Sequence, residues 1–282
     1  MKQYMKSLLN LTAFELDRIS KFLYTLLGVT LLLNLIGFIY PPMRYVGRMN
    51  EYMQTESVTA QQAIERFGSF SFYDVTSTLW LLAPATLGIS GLLLYSFFIW
   101  YREWMGKNTF AYRLLMLPVP RMQIFYSKLF VIYIAIFSLI AVQIISLTIG
   151  FQIVSAIVPD DWLSGMTLDQ ALNIHPLFTV ILPVSSFYFL SANGIGLTFM
   201  LVLFTVILLE RSYSFKGLGL GIAYGVVTVL IAVFPAFLPD LVQNYYLFFD
   251  SEIMALIIVL MTIIGITSLL ISRHLLNKKI TI

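Results

Sequence analysis

Six long runs of apolar residues constrain the fold of this chain more than any other feature. They occupy residues 22–40, 77–101, 127–158, 177–209, 217–239 and 252–272. A run of about 18 or more apolar residues can cross the hydrocarbon core of a bilayer as one helix. Only 11% of the residues are charged, against about 25% in a typical soluble domain. The sequence therefore predicts an all-α membrane protein with six transmembrane helices.

The distribution of charge predicts how these helices are oriented. Fourteen of the 17 Lys and Arg residues lie in the N-terminal segment, in the connections 102–128 and 210–216, or in the C-terminal tail. Ten of the 14 acidic residues fall instead in 41–76, 159–176 and 240–252. Because loops rich in Lys and Arg stay in the cytoplasm, we expect both termini to be cytoplasmic and the 41–76 loop to be extracellular.

Two segments are apolar without reading as simple spans. Residues 1–20 combine an apolar face with a face that carries lysines, which predicts an amphipathic helix on the inner leaflet. The apolar face consists of Met1, Tyr4, Met5, Leu8, Leu11, Thr12 and Leu16. Residues 234–251 are interrupted by Pro235 and Pro239 and contain no Lys or Arg. We expect them to form a re-entrant or interfacial segment at the outer face.

The 102–126 connection predicts a short helix on the cytoplasmic side. Asn108 or Thr109 can cap its start, and the prolines at 118 and 120 end it. Three apolar residues with i, i+4, i+7 spacing share one face, and a cation lies beside them; these are Phe110, Leu114, Leu117 and Arg113. Such a helix is typical of a docking element, although a helix that only lies on lipid would have the same pattern.

Several classes of chemistry lack their motifs in this sequence. There is no G-x-x-x-x-G-K-[ST] sequence, so we expect any ATP hydrolysis to be carried out by another protein. No H-E-x-x-H motif and no cysteine is present, and no metal site is expected. Gly88-Ile89-Ser90-Gly91 matches the G-x-S-G pattern of intramembrane serine proteases. However, His175 and His274 are predicted to lie at depths other than that of Ser90, and a serine nucleophile needs a base within reach.

Small and polar residues inside the spans predict helix packing. The strip Gly217, Gly221 and Gly225 would let two helix backbones approach closely. The polar residues Asn34, Gln143 and Asn193 are expected mainly to bond neighbouring helices. No Asp, Glu, Lys or Arg is expected deep inside a span, which disfavours an ion-coupled carrier or an ion channel.

The layout and one motif resemble the ABC-2 family of permeases. The motif begins at Arg102-Glu103, continues through Leu114-Leu115-Met116-Leu117-Pro118-Val119-Pro120-Arg121, and ends at Lys128. It is similar to the family pattern of a glutamate, then Leu-Leu-x-Leu-Pro-Val-x-Arg, then a lysine that opens the third span. Pro120 replaces the usual serine of the family, and Ser127 replaces the usual glycine.

The resemblance implies that 1–282 is a single ABC-2 type transmembrane domain of an exporter. Residues 1–20 would be its elbow helix, and the 102–126 loop would hold a coupling helix. The residues implied to couple to an ATPase are Glu103, Phe110, Arg113, Leu114, Leu117 and Arg121. The resemblance implies three kinds of partner. The first is a separate ATP-binding cassette ATPase, present in two copies, which would bind the ATP. The others are a second permease subunit, identical or related, and membrane lipids. No nucleic acid partner and no cofactor or enzymatic activity of its own is expected.

The resemblance also implies a location in a bacterial plasma membrane. The apolar and aromatic spans favour a peptide, an antibiotic or another amphipathic, lipid-like cargo. Two alternatives remain open at this point. One is a non-transporting sensor or immunity module of the same layout that binds a ligand through 41–76, and the other is an intramembrane protease that uses Ser90.

Overall fold

The structure, a computed structural model, describes residues 2–104, 116, 118–183, 185–242 and 249–279 of the 282-residue chain. The helices in chain order are α1 Lys2–Glu56, α2 Ala60–Phe67, α3 Phe72–Thr76, α4 Leu79–Trp104, α5 Arg121–Ile157, α6 Leu168–Ile174, α7 Pro176–Ile181, α8 Ser186–Val233, α9 Leu238–Val242 and α10 Asp250–His274. Short 3-10 turns follow α5 and α8, and a π-helical turn, Leu275–Lys279, follows α10. Within the described ranges, β structure is limited to one isolated bridge between Phe70 and Leu163.

Six helical segments are long and apolar enough to cross a membrane, as the sequence predicts. Their bounds are Tyr4–Glu56, Leu79–Trp104, Arg121–Ile157, Ser186–Tyr213, Phe215–Phe237 and Ser251–Lys279. The chain therefore has the character of a multi-pass membrane protein.

The fourth and fifth segments lie within the single helical assignment of α8, yet the chain reverses there. A Cβ atom placed on Gly221 would lie 3.1 Å from the backbone oxygen of Val206. In a straight helix, residues separated by 15 positions would be about 22 Å apart. The chain must therefore turn back between them, and the turn predicted at 210–216 falls in this interval. We refer to the two parts as the first arm and the second arm of α8.

The first helix is longer than the sequence predicts. We expected an amphipathic helix over 1–20, a span over 22–40 and a loop from Pro41, but α1 continues through Pro41 and Pro42 to Glu56. Proline has a φ angle near −65° that fits a helix, and two prolines remove only the amide donors to the carbonyls of Gly37 and Phe38. Burial of Tyr45 and Met49 beyond the prolines stabilises the continued helix.

The start of the fourth span also differs from the prediction. The span was expected from 177, but α7 ends at Ile181 and the long helix begins only at Ser186. Pro183 explains the break, because proline lacks an amide donor and disfavours helical backbone at the preceding residue. Leu182 accordingly has φ −128° and ψ 58°.

The chain divides into two compact units, and the second unit consists of residues 16–93 and 132–189. It contains a core of buried, mostly aromatic and aliphatic side chains: Phe38, Tyr45, Met49, Ala63, Phe70, Phe72, Val75, Leu81, Leu147, Val154, Val158, Trp162, Ala171 and Phe178. The Tyr45 hydroxyl donates to the Gly68 carbonyl at 2.6 Å, and its ring lies 5.0 Å from that of Phe70. The segment predicted as the 41–76 loop is thus largely helical, and part of it is packed around this core.

Candidate functional site

The first unit comprises residues 1–15, 94–131 and 190–282, and it contains a cluster of four charged side chains. The cluster consists of Glu15, Arg102, Glu103 and Lys128, and we call it the ion quartet. The Lys128 ammonium donates to Glu15 at 2.6 Å and to Glu103 at 3.1 Å. Arg102 donates to the second oxygen of Glu15 at 3.0 Å. Two cations thus face two carboxylates, and the quartet is neutral as a whole.

The quartet is almost completely removed from solvent. Lys128 is fully buried, Glu15 and Glu103 are 1% and 3% exposed, and only Arg102 is partly exposed. Lys128 also donates to the carbonyl of Ile99 at 3.0 Å and lies 5.5 Å from the centre of the Trp100 ring. Its ammonium therefore has acceptors for all three of its donors, as burial of a charge requires.

Local sequence explains how three helices bring these charges together. One face of α1 is at least partly covered by the rest of the chain. The residues on this face have helical spacing and are Ser7, Leu8, Leu11, Thr12 and the buried Glu15. Ser7 donates to Gln123 of α5 at 2.7 Å, which fixes this face of α1 against the start of α5. Glu15 lies two turns farther along α1, and Lys128 lies between one and two turns farther along α5. The two helices therefore place Glu15 and Lys128 opposite each other.

The quartet joins the two ends of the connection between α4 and α5. Glu103 is the penultimate residue of α4, and Arg121 is the first residue of α5. The Arg121 guanidinium donates to the carbonyl oxygen of Leu276, in the π-helical turn after α10, at 2.6 Å. Removing one partner of a buried ion pair costs about 3–5 kcal/mol, because the other charge is left uncompensated. The ends of this connection are therefore held firmly to α1, α4, α5 and the C-terminal turn.

The predicted coupling residues fall in two groups. Phe110, Arg113, Leu114 and Leu117 lie outside the described residues. Glu103 and Arg121 are described, and both bond to other parts of this chain. Glu103 bonds Lys128 of α5, and Arg121 bonds the carbonyl oxygen of Leu276. In this conformation both residues therefore hold the ends of the connection in place within the chain. Sequence reasoning missed Glu15, although an available signal was that it follows Leu8 and Leu11 at helical spacing on the apolar face of α1. An acid in that position indicates a buried partner.

The predicted glycine strip lies along the contact between the two arms of α8. A Cβ atom on Gly217 would collide with the backbone oxygen of Leu209 and lie 3.0 Å from the Cα atom of Glu210. At Gly225 the nearest atom would be a methyl group of Val206 at 3.7 Å. The approach is therefore closest at the turn and relaxes along the second arm.

The polar residues predicted inside the spans of the second unit bond each other. Asn34 donates to Gln143 at 3.0 Å and to Ser146 at 2.8 Å, and all three side chains are buried. These bonds join α1 to α5 at the depth of the spans. Asn193, in the first arm of α8, is half-buried.

The serine of the G-x-S-G sequence bonds within its own helix. Ser90 is exposed and donates to the carbonyl oxygen of Thr86 at 2.8 Å, which is a common bond for a serine in a helix. His175 caps α7, since its Nδ1 atom accepts from the amide of Leu177 at 3.3 Å. Both residues therefore have local structural roles in the described conformation.

The ion quartet ties α1, α4 and α5 together. Its four charges compensate one another, and among the residues described no group of His, Asp and Glu could hold a metal ion. The chain matches no protein-family model, and comparison with curated proteins and with solved structures finds no match.

Proposed function

We propose that this chain is the permease subunit of an ATP-binding cassette exporter and that a separate ATPase drives it through the connection between α4 and α5. The observation that carries the proposal is the ion quartet at the base of that connection. Glu103 at one end of the connection bonds Lys128 near the other end, and Glu15 ties both to α1. A connection with such a base can transmit a displacement to three helices together.

The sequence supports the proposal from two further directions. Without a P-loop motif this chain has no recognisable means of hydrolysing ATP, and its apolar spans offer little for ion coupling. The spacing of Phe110, Leu114 and Leu117 provides an apolar face that a partner groove could bind. The motif that resembles ABC-2 permeases begins and ends at Glu103 and Lys128, which are bonded to each other.

The mechanism follows from this arrangement. The helix of the connection docks on the ATPase, and Arg113 pairs with acidic groups of that partner. When the partner moves, the displacement enters α4 through Glu103, α5 through Lys128 and α1 through Glu15. Two copies of this subunit, or this subunit and a related one, then open a path between them for a peptide, an antibiotic or another amphipathic molecule. The ATPase must favour one conformation over the other, because equal affinity for both would shift nothing.

The test uses the full chain, tagged and purified from its native membranes, with ATP hydrolysis measured in the purified sample. Leu114→Asp and Phe110→Asp place a charge on the predicted docking face and should remove both the ATPase protein and its activity. Ile174→Asp is the matched control, because Ile174 is 53% exposed and lies in the second unit. ATPase association that is equal in all four proteins would refute the docking role.

A second candidate function is a membrane sensor that does not transport. It is favoured by the packing of the 41–76 segment, where Tyr45, Phe70 and Phe72 are buried in an ordered core. Such a folded segment could bind a ligand and pass a signal to the spans. Sealed vesicles that contain the chain together with its ATPase distinguish the two functions. ATP-dependent accumulation of a fluorescent amphipathic peptide supports export, whereas ligand binding without accumulation supports the sensor.

A further inference from the structure

An apolar groove runs between α4, the two arms of α8 and α10 in the first unit. Its volume is about 320 Å³. The residues that line it include Phe97 of α4, Val202 and Val206 of the first arm, Val229 of the second arm and Met261 of α10. All four segments are long and apolar enough to span a membrane, so the groove lies at the depth of the hydrocarbon core.

The wall of the groove offers almost no polar group to a ligand. Among the described residues that line it, only Thr198 and Thr228 carry a hydroxyl group. The Thr198 hydroxyl donates to the carbonyl of Gly194 at 3.1 Å, and that of Thr228 donates to the carbonyl of Gly225 at 2.8 Å. Their hydrogen atoms are therefore used within the helices, and the groove selects a hydrocarbon chain rather than a sugar, an ion or a polar peptide.

Beyond the lining residues Phe97 and Val206, α4 and the first arm of α8 continue to an arginine and two aromatic rings near it. Tyr101 follows Phe97 by one turn on the same face of α4, and Arg211 follows Val206 by about 7.5 Å along the first arm. The Arg211 guanidinium is exposed and lies 4.7 Å from the centre of the Tyr101 ring and 5.9 Å from that of Trp104. The neighbouring carboxylate, Glu210, accepts a hydrogen bond from the Tyr101 hydroxyl.

The surroundings of Arg211 favour an anionic partner. Lys216 is exposed in the same turn, and Lys279 lies 5.6 Å from the Tyr213 ring. An arginine held over aromatic rings keeps its N–H groups oriented and can bind a phosphate through two of them. Basic pockets between transmembrane helices bind anionic lipid head groups on the cytoplasmic side, and the 210–216 turn is predicted to face that side.

We propose that this groove binds an anionic phospholipid, with one acyl chain along Val206 and Val229 and the phosphate on Arg211. The site joins an apolar groove to a cation at one end, as the two parts of such a lipid require. It does not depend on the proposed transport function, because the lipid is bound from the surrounding bilayer.

The experiment compares lipids that differ only in head group. The full chain is purified in detergent, incubated with phosphatidylglycerol or with phosphatidylcholine of identical acyl chains, and examined by native mass spectrometry. We expect the phosphatidylglycerol adduct to exceed the phosphatidylcholine adduct about fivefold, from the attraction of the single cation Arg211. Arg211→Gln should reduce the ratio to near one, and Arg211→Lys should retain only part of it, because lysine keeps the charge but cannot bind the phosphate through two N–H groups.

A pair of variants on the second arm tests the acyl chain. Ala232→Phe fills the groove, since Ala232 lines it, and should abolish retention of both lipids. Ala223 is exposed and lies nine residues earlier, on the opposite face of the helix, so Ala223→Phe should leave retention unchanged. Size-exclusion chromatography of each variant confirms that it is folded and reports its oligomeric state.

Four outcomes would overturn the proposal. The first is equal retention of the two lipids by the wild-type chain, and the second is unchanged retention in Ala232→Phe. The third is a wild-type dimer that retains no lipid and that Ala232→Phe dissociates, which would show that a second copy covers the groove. Retention of glycerol phosphate without acyl chains would also contradict it, because the apolar groove would then contribute nothing.

Discussion

Replacing Lys128 by methionine removes the central charge of the ion quartet while keeping a side chain of similar length. In the structure its ammonium is fully buried and bonds Glu15 at 2.6 Å, Glu103 at 3.1 Å and the carbonyl of Ile99 at 3.0 Å. When the ammonium is removed, Arg102 is the one cation left in the quartet, against the two buried carboxylates of Glu15 and Glu103. Removing one partner of a buried ion pair costs about 3–5 kcal/mol, so we expect a loss of this size for Lys128→Met.

The assay is the apparent melting temperature of the purified chain in detergent, followed by tryptophan fluorescence. A change of 1 kcal/mol shifts the melting temperature by about 2–4 °C in chains of 150–250 residues, so Lys128→Met should lower it by about 10 °C. Lys216→Met is the matched control, because Lys216 is exposed in the turn of α8. Its effect should stay within about 0.5 kcal/mol.

A second substitution separates charge balance from packing. Glu103→Gln combined with Lys128→Met leaves Glu15 paired with Arg102, so no buried carboxylate is left in excess. We expect the double variant to regain at least half of the lost stability, which is the non-additivity typical of groups in direct contact. A shift below about 2 °C for the single variant, or a double variant no more stable than the single one, would refute the reasoning.

Three further substitutions test other parts of the fold by the same thermal assay. Gly217→Ala should lower the free energy of unfolding by about 1–3 kcal/mol, because the added Cβ atom would meet the backbone of the first arm. Gly219→Ala is the control, since Gly219 has open space around it, and it should be neutral or slightly stabilising. Asn34→Leu should lower the free energy of unfolding by about 1–3 kcal/mol, because the buried side-chain oxygen of Gln143 loses the donor Asn34. The double variant Asn34→Leu with Gln143→Leu should recover most of that loss. Phe178→Ala should cost about 3–5 kcal/mol because Phe178 is fully buried in the core of the second unit. Stability equal to wild type in Gly217→Ala, Asn34→Leu or Phe178→Ala would contradict the packing described.

The six spans could be predicted because their signal is strong and local. Apolar runs of bilayer length have few other interpretations, and this is why all six appear as helices. The predicted bounds of the helices are less accurate where the effect of a proline on the helix differs from the expected one. The pair Pro41-Pro42 lies inside α1, while Pro183 separates α7 from α8. The same residue type thus has opposite effects, and the packing that decides between them is tertiary.

The ion quartet could be predicted only in part. Glu103 and Lys128 stand at the two ends of the motif that resembles ABC-2 permeases, but their bond depends on how α4 and α5 approach each other. The sequence assigns Glu15 no role and places Arg102 only among the cations of the 102–128 connection and at the start of that motif, because a single sequence does not show which face of a helix is covered. Burial of a charge is a property of the assembled helices, and the partner that compensates it can be more than 100 positions away, as Glu15 is from Lys128.

The aromatic core of the second unit could not be predicted from the sequence for a related reason. Its aromatic residues are spread over 38–75 and 147–178 in short groups, and each group taken alone is typical of a membrane interface. Only their meeting in one core shows that they stabilise a compact structure. Tyr45 and Trp162, for example, have ring centres 6.5 Å apart although they are separated by more than 100 residues.

The central claim is that the connection between α4 and α5 faces the cytoplasm and receives work from an ATPase. Because the chain contains no cysteine, Lys107→Cys provides a unique site for thiol cross-linking in native membranes. We predict a cross-link to an ATP-binding protein whose yield changes when ATP is added, and protection of the cysteine from impermeant maleimide in intact cells. Labelling by impermeant maleimide in intact cells, with no cross-linked ATPase, would contradict the account.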